Sequence, residues 1–320
     1  MGLSKMGSKV LIVGGAGYIG GATCNKLVEN GFDVTVYDNL LYENRYFKNI
    51  KFFFGDIRET EKIVKLSIER DIDIIVLMAA IVGDKACDID KKLTNEVNYI
   101  ANRELCLRIP NEKHIIFIST CSVYGKQDNI LNEESELNPL SFYAETKIMA
   151  EKYVLQRNGT ILRLGTVFGT GDEHNRIRLD LVINTLTLNA FKYKKISIFG
   201  AEQWRPVIAV NDVAGYISEC CGVKRGGVYI LSKENITMRG IGDKIRDTIP
   251  GTEIVFNDLP DKDIRNYRVD NSKALVEFNY VPEISIESEI SKIYSILYQR
   301  RVKNCDDEVY NNGLFLSKIK

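Results

Sequence analysis

The chain of 320 residues is short of several things, and each shortage excludes something. It has only two histidines, His114 and His174, so a multi-histidine metal centre is impossible and a serine–histidine–aspartate triad is unattractive. No metal is expected. The seven cysteines (24, 87, 106, 121, 220, 221 and 305) form no CxxC pair, and their number is odd. That pattern fits free thiols in a reducing compartment better than a disulfide framework. Neither sign of charge is in excess, with 43 Lys and Arg against 43 Asp and Glu, which argues against a general nucleic-acid or membrane-surface role. The longest apolar run, Ile74 to Val82, is too short to span a bilayer. Met6 stands where a myristoylation signal wants Ser or Thr, and no stretch resembles a signal peptide. The expectation is a soluble cytoplasmic protein that engages neither membrane nor nucleic acid.

What is present is alternation. Lys9–Val13, Phe32–Tyr37, Lys51–Phe54, Ile74–Ala79, His114–Ser119 and Thr160–Leu164 read as strands. Helical stretches separate them at Tyr18–Asn30, 59–70, 89–109 and Tyr143–Gln156. Nearly continuous apolar strands between helices predict an α/β fold, a Rossmann-type doubly wound parallel sheet covered on both faces. Beyond residue 170 the pattern loosens into helices at 179–192, 212–222, 237–248 and 285–300, with strands at Ile196–Phe199 and Gly227–Leu231. The division expected is a dinucleotide-binding domain over 1–170, to which some later segments return. A smaller α/β substrate-binding lobe follows, mainly over 171–300, and then a charged tail over 301–320.

The first strand runs straight into Gly14-Gly-Ala-Gly17-Tyr18-Ile19-Gly20. Glycines at 14, 17 and 20 suit a sharp strand–helix turn, a close approach of backbone to a pyrophosphate, and a helix packed tightly on the sheet. The helix N-terminus then offers N–H groups to phosphates. The second strand leads into Asp38 and Asn39, and a carboxylate there holds ribose hydroxyls while repelling a 2′-phosphate. NAD is therefore expected over NADP, although Arg45 is nearby. Tyr143-Ala-Glu-Thr-Lys147 sets a phenol and an ammonium four residues apart on one helix face. An ammonium near a phenol lowers its pKa, so a tyrosinate base is expected near neutral pH.

Together with Gly55-Asp56-Ile57-Arg58, Ala79-Ala80, Ser119-Thr-Cys-Ser-Val-Tyr-Gly125 and Trp204-Arg205-Pro206, these motifs resemble the extended short-chain dehydrogenase/reductase family. The likeness is to its NAD-dependent nucleotide-sugar epimerases and dehydratases, and it covers roughly residues 8 to 300. It implies that Tyr143 is the catalytic base, that Lys147 tunes it and holds the nicotinamide ribose, and that Thr120 bonds the sugar oxygen being oxidised. It implies cofactor contacts from Gly14, Gly17, Tyr18, Ile19, Gly20, Asp38 and Asn39, and also from Asp56, Ile57, Ala79 and Ala80. Substrate contacts are implied for Gly83, Thr120, Cys121, Ser122, Arg178, Asp180, Asn184, Arg205 and Arg265. The arginines suit a sugar diphosphate, because guanidinium binds phosphate oxygens bidentately.

The dehydratases of this family carry an acid–base pair after the threonine. Here Cys121 and Ser122 stand there, which disfavours 4,6-dehydration. Cys121 is either an acid–base residue or a small buried thiol. The leading expectation is an epimerase that oxidises a sugar hydroxyl, usually at C4, and then reduces it again. The alternatives are a net C4 dehydrogenase or reductase, a dehydratase, and a non-catalytic NAD-binding regulator. The resemblance also implies a homodimer built on the 89–109 and 143–157 helices.

Overall fold

The apolar runs of the amino-terminal half pair as parallel strands. A computed structural model describes residues 7–43, 45–258 and 265–319. Fourteen strands lie among the described residues. They are β1 (Lys9–Val13), β2 (Asp33–Asp38), β3 (Lys51–Phe54), β4 (Ile74–Leu77), β5 (His114–Thr120), β6 (Lys126–Leu131) and β7 (Thr160–Leu164). There follow β8 (Thr166–Phe168), β9 (Lys195–Phe199), β10 (Trp204–Ala209), β11 (Gly227–Leu231), β12 (Glu234–Thr237), β13 (Glu253–Asn257) and β14 (Asn266–Val269). Seven of them form one all-parallel sheet in the order β11-β7-β5-β4-β1-β2-β3. The order reverses direction between β1 and β4, and a crevice opens at their carboxyl ends.

Alternation along β1 shows why both faces are covered. Val10 and Ile12 enter one buried cluster with Cys24 and Leu27 of the helix Tyr18–Glu29 and with Val213 and Ile217 of the helix Val210–Val223. Leu11 and Val13 point the other way, into a cluster with Ile63, Leu105 and Val154. Each such side chain contributes about 1.5–3 kcal/mol on burial. Residues 210–231 thus return to the sheet: their helix packs beside the first helix, and β11 forms the sheet edge.

A second layer assembles from later elements. β10 pairs parallel with β8 and antiparallel with β12; β9 pairs with β13, and β14 with β6. Phe168, Ile183, Ile198, Ile241 and Ile290 form the core of this lobe.

Two segments add detail to the reading of the sequence. The helix expected over 89–109 runs from Lys91 to Arg108 with a π-helical turn at Glu96–Ile100, and a separate short helix, Asp84–Ile89, precedes it. Asp90 adopts extended backbone at the break, and its carboxylate caps the next turn by accepting from Leu93 N–H at 2.9 Å. The tail is also ordered. A 3-10 turn Glu308–Tyr310 and a helix Asn312–Lys318 dock on the molecule, with Leu316 buried in the core.

Candidate active site

The glycine loop is shaped by contacts that a side chain would break. Gly14 has φ +94°, and a Cβ there would lie 2.5 Å from Ala79 N. At Gly20 a Cβ would fall 2.3 Å from Gly14 O. Gly17 differs: nothing but Gly14 O, at 3.4 Å, comes near its Cβ position, so this glycine leaves open space. Gly17 is also the N-cap of the helix Tyr18–Glu29, with no side-chain cap and no acidic residue in the first turn. An uncapped, un-neutralised helix start beside open space fits a pyrophosphate. Tyr18 and Ile19 open that helix, and the Tyr18 hydroxyl donates to Gly169 O at 2.7 Å.

Asp38 closes the loop from the side. Its carboxylate accepts from Ala16 N–H at 2.9 Å and from Leu40 N–H at 2.8 Å. Burial lifts its pKa despite these backbone bonds. Each oxygen keeps a further lone pair for a ribose hydroxyl. Asn39 donates to Asp56 at 3.1 Å, and Arg58 pairs with Asp56. Burial opposes that carboxylate's charge, but Arg58 outweighs it and holds the pKa low. Ile57 is buried beside them. Glu43, pushed up by burial to about 6, adds a further carboxyl near Asp38, whereas Arg45 is exposed over the Phe47 ring. This charge pattern fits NAD and disfavours a 2′-phosphate.

The catalytic candidates meet at the end of β5. Thr120 is its last residue, and the hydroxyl oxygen accepts from Ser122 N–H at 3.1 Å, leaving its own proton to donate. The helix Phe142–Gln156 presents Tyr143 and Lys147 beside that strand end. Lys147 donates to Ile118 O at 2.9 Å, and its ammonium lies 4.7 Å from the Phe117 ring centre and 5.9 Å from that of Tyr143. The expectation that this lysine lowers the phenol's pKa is not met in the chain itself. Burial pushes Tyr143 well above an ordinary tyrosine, and Cys87 adds to this; Arg178 is the group that pulls it down. Lys147 is itself driven by burial down to about 8.

Around Tyr143 stand Cys87, Arg178, Asp84 and Tyr267. Tyr267 in turn neighbours Ser122, Arg205 and Arg265, and burial lifts its phenol to about 12. Arg265 pairs with Asp84 at 3.2 Å, next to Gly83, whose φ of +105° turns the chain there. Arg178 and Asp180 form a bidentate pair at 3.0 Å on both arms.

Three of the expected substrate contacts are buried and bonded within the chain. Cys121 is wholly buried, its thiol pushed up by burial and donating to Arg163 O at 3.3 Å. It packs with Val123, Tyr124 and Leu131 as a small apolar residue. Asn184 is also fully buried, and it uses both ends of its amide on backbone. It accepts from Gly169 N–H at 3.0 Å and donates to Gly169 O at 2.9 Å and Arg178 O at 2.8 Å. Its task is to hold the 169–178 loop. Arg205 is buried as well and donates to Trp204 O at 3.0 Å and Arg265 O at 2.6 Å, so it braces the segment that carries Arg265.

Other residues emerge only from the structure. Asn98, on the π-helical turn, accepts from Ile81 N–H and donates to Ile81 O, both at 2.9 Å. It thereby fixes the loop after β4 that carries Ala79 and Ala80. A buried amide within a helix was the available signal, but the π turn that aims it has none. Asn175 donates to Ala16 O and Gly17 O at 2.8 Å each, clasping the glycine loop from a segment 158 residues further along the chain. Behind Thr120, Ser119 donates at 2.5 Å to Glu151, which pairs with Arg163 at 2.6 Å in a closed, buried network.

Comparison with known proteins identifies the family. The family model described as "NAD dependent epimerase/dehydratase family" matches residues 10–220. The UDP-glucose 4-epimerase of Lactobacillus helveticus is 34% identical over 149 residues, 45% of each chain, so that match spans about half of the relative's length. The uncharacterized UDP-glucose epimerase YtcB of Bacillus subtilis is 27% identical over 319 residues, 91% of this chain and 99% of its own. In fold, the chain resembles the UDP-glucose 4-epimerase of Thermotoga maritima solved with UDP-glucose, at a TM-score of 0.80 and 23% identity, covering 92% of this chain and 100% of that one. With its glycine loop, Asp38 and Thr120 at the carboxyl ends of β1, β2 and β5, and Tyr143 and Lys147 beside the last of these, this chain is an enzyme of the NAD-dependent epimerase/dehydratase family.

Proposed function

We propose that the protein is a nucleotide-sugar 4-epimerase that oxidises a sugar C4 hydroxyl and reduces the resulting ketone without releasing its NAD. The observation that carries the reading is the trio at the end of β5. Lys147 is anchored to Ile118 O, two residues before Thr120, and Tyr143 lies one helical turn before Lys147. Thr120 holds the sugar oxygen through its free hydroxyl proton. Tyr143 removes the proton from that oxygen and later returns it. Oxidised NAD, when bound, supplies the hydride acceptor and a positive charge that favours tyrosinate. Gly14, Gly17, Asp38 and Lys147 are the residues that hold it.

Retention of the cofactor is supported by the cover over the glycine loop. Asn175 bonds two of the loop's carbonyls, Tyr18 is tied to Gly169, and Lys48 joins Gly21 O to Asp172. An enzyme that regenerates its own cofactor has no need to exchange it, whereas a net dehydrogenase does. The absence of a carboxylate at positions 121 and 122 speaks against dehydration. Arg178 and Arg265, beside Tyr143 and Tyr267, fit the diphosphate of the substrate. A UDP-sugar is favoured by the named relatives.

The decisive assay follows UDP-glucose by NMR while absorbance at 340 nm is recorded. Conversion to UDP-galactose with no change in added NADH is expected. Stoichiometric formation or loss of NADH would replace the reading by a net C4 oxidoreductase. We also propose a homodimer formed through the exposed face of the helices Ala101–Arg108 and Phe142–Gln156. Leu107 and Leu155 are exposed there, and the Tyr99 and Tyr153 rings lie 6.2 Å apart. Light scattering at the mass of a monomer would reject it.

A further inference from the structure

The carboxyl-terminal helix bonds both the loop that follows β4 and the 176–180 segment, and it does so through one residue. Asn312 is 4% exposed although it lies near the end of the chain. Its side-chain amide donates to Val82 O at 3.1 Å, on the loop that continues into Gly83 and Asp84. Its backbone N–H donates to Asp180 at 3.1 Å, and its side-chain oxygen accepts from Arg176. Asp180 in turn holds Arg178 in the bidentate pair. Asp84 and Arg178 both act electrostatically on the Tyr143 phenol, with opposite signs.

The helix is itself well seated, so the link is rigid. Leu316 is buried in the core, and Phe315 packs on Tyr42 with ring centres 5.1 Å apart. Arg176 donates at 2.7 Å to Val309 O in the same segment and stacks 4.1 Å from the centre of the Tyr42 ring. Tyr310 O accepts from Leu179 N–H at 2.9 Å.

We infer that Asn312 is a positioning residue for the active site: its side chain joins Val82 O to Arg176 and its backbone N–H holds Asp180, so the loop before Asp84 and the segment that carries Arg178 are kept in register for the nucleotide sugar. The substrate part rests on the function proposed above, and the pin itself does not. The helix belongs to the active site although it lies outside the matched family region of residues 10–220.

Asn312→Ala in the full chain tests the pin by hydrogen–deuterium exchange without substrate. The variant loses the side-chain bonds to Val82 and Arg176 and keeps the backbone bond to Asp180, so faster exchange is expected over 81–89 and 176–178, with β1 unchanged; a change confined to 308–319 overturns the inference whatever the substrate proves to be. With UDP-glucose, the same variant should raise KM at least tenfold while kcat falls less than threefold. Leu316→Ala, which loosens the helix but keeps the Asn312 bonds, should lower Tm and leave KM within twofold. Equal KM effects in the two variants would mean a purely structural tail. Should Asn312→Ala fail to fold, the unaltered protein still decides, because coupling is reciprocal. UDP binding must then slow exchange over 308–318, and no slowing overturns the inference. Failure of the parent to bind UDP or turn over UDP-glucose would sink the proposed function alone.

Discussion

Replacing Lys147 with methionine should abolish turnover and yet stabilise the chain. The side chain is 2% exposed, and burial lowers its pKa from an ordinary 10.5 to about 8. At 1.36 kcal/mol for each pH unit, keeping this ammonium charged in the folded state costs about 3 kcal/mol. That is an upper figure for the gain, because Ile118 O and the Phe117 ring already favour the charged form. Methionine keeps the length and packing without the charge. For a chain of 320 residues the unfolding entropy is roughly 0.7 kcal/mol per degree, so Tm should rise by about 2–4 °C at pH 7. The pH dependence has a definite sign. Below pH 8 lysine is charged in both states, and the full penalty is present. Between about 8 and 10.5 the folded state has lost the proton and the unfolded state still binds it, so the parent's stability rises with pH and the variant's advantage fades. Differential scanning calorimetry of the cofactor-free proteins at pH 7, 9 and 10 checks this. A variant less stable than its parent at pH 7, or an advantage independent of pH, would refute the reasoning.

Other perturbations test the remaining parts of the site. Gly14→Ala must relieve a 2.5 Å contact with Ala79 N at a φ of +94°, so it should lower Tm and leave less than a tenth of the co-purifying NAD; chromatographic quantitation of bound nucleotide reads this. Asp38→Asn turns an amide NH2 toward one of the two N–H groups now accepted, and should weaken NAD at least tenfold while narrowing its advantage over NADP, as titration calorimetry would show. Glu151→Gln leaves Arg163 buried without its counter-charge and should cost about 3–5 kcal/mol in urea unfolding; a loss under 1 kcal/mol would mean the pair is solvated. Tyr143→Phe should lower kcat by roughly 10²–10⁴-fold with Tm unchanged, measured on UDP-glucose.

What the sequence determined by itself is the framework and its local motifs. Nearly continuous apolar runs at 9–13, 74–77 and 114–119 must be covered on both faces, so the parallel sheet was legible. The glycine loop, Asp38 and the Tyr143–Lys147 spacing were also legible, because each motif is written in a few adjacent residues. Tertiary structure decided whatever depends on partners far along the chain. Cys121 and Asn184 looked available for substrate until packing turned them onto the carbonyls of residues 163, 169 and 178. Tyr143 and Lys147 kept their spacing, but burial, which no motif encodes, set their proton affinities against the simple expectation. Asn98, Asn175 and Asn312 left no pattern at all. Each acts by bonding backbone that only the folded chain brings within 3 Å or so, and a backbone carbonyl carries no signature in sequence. The glycine loop could be read from its own residues; what covers it, and what holds the cleft before Tyr143, could be read only from the fold.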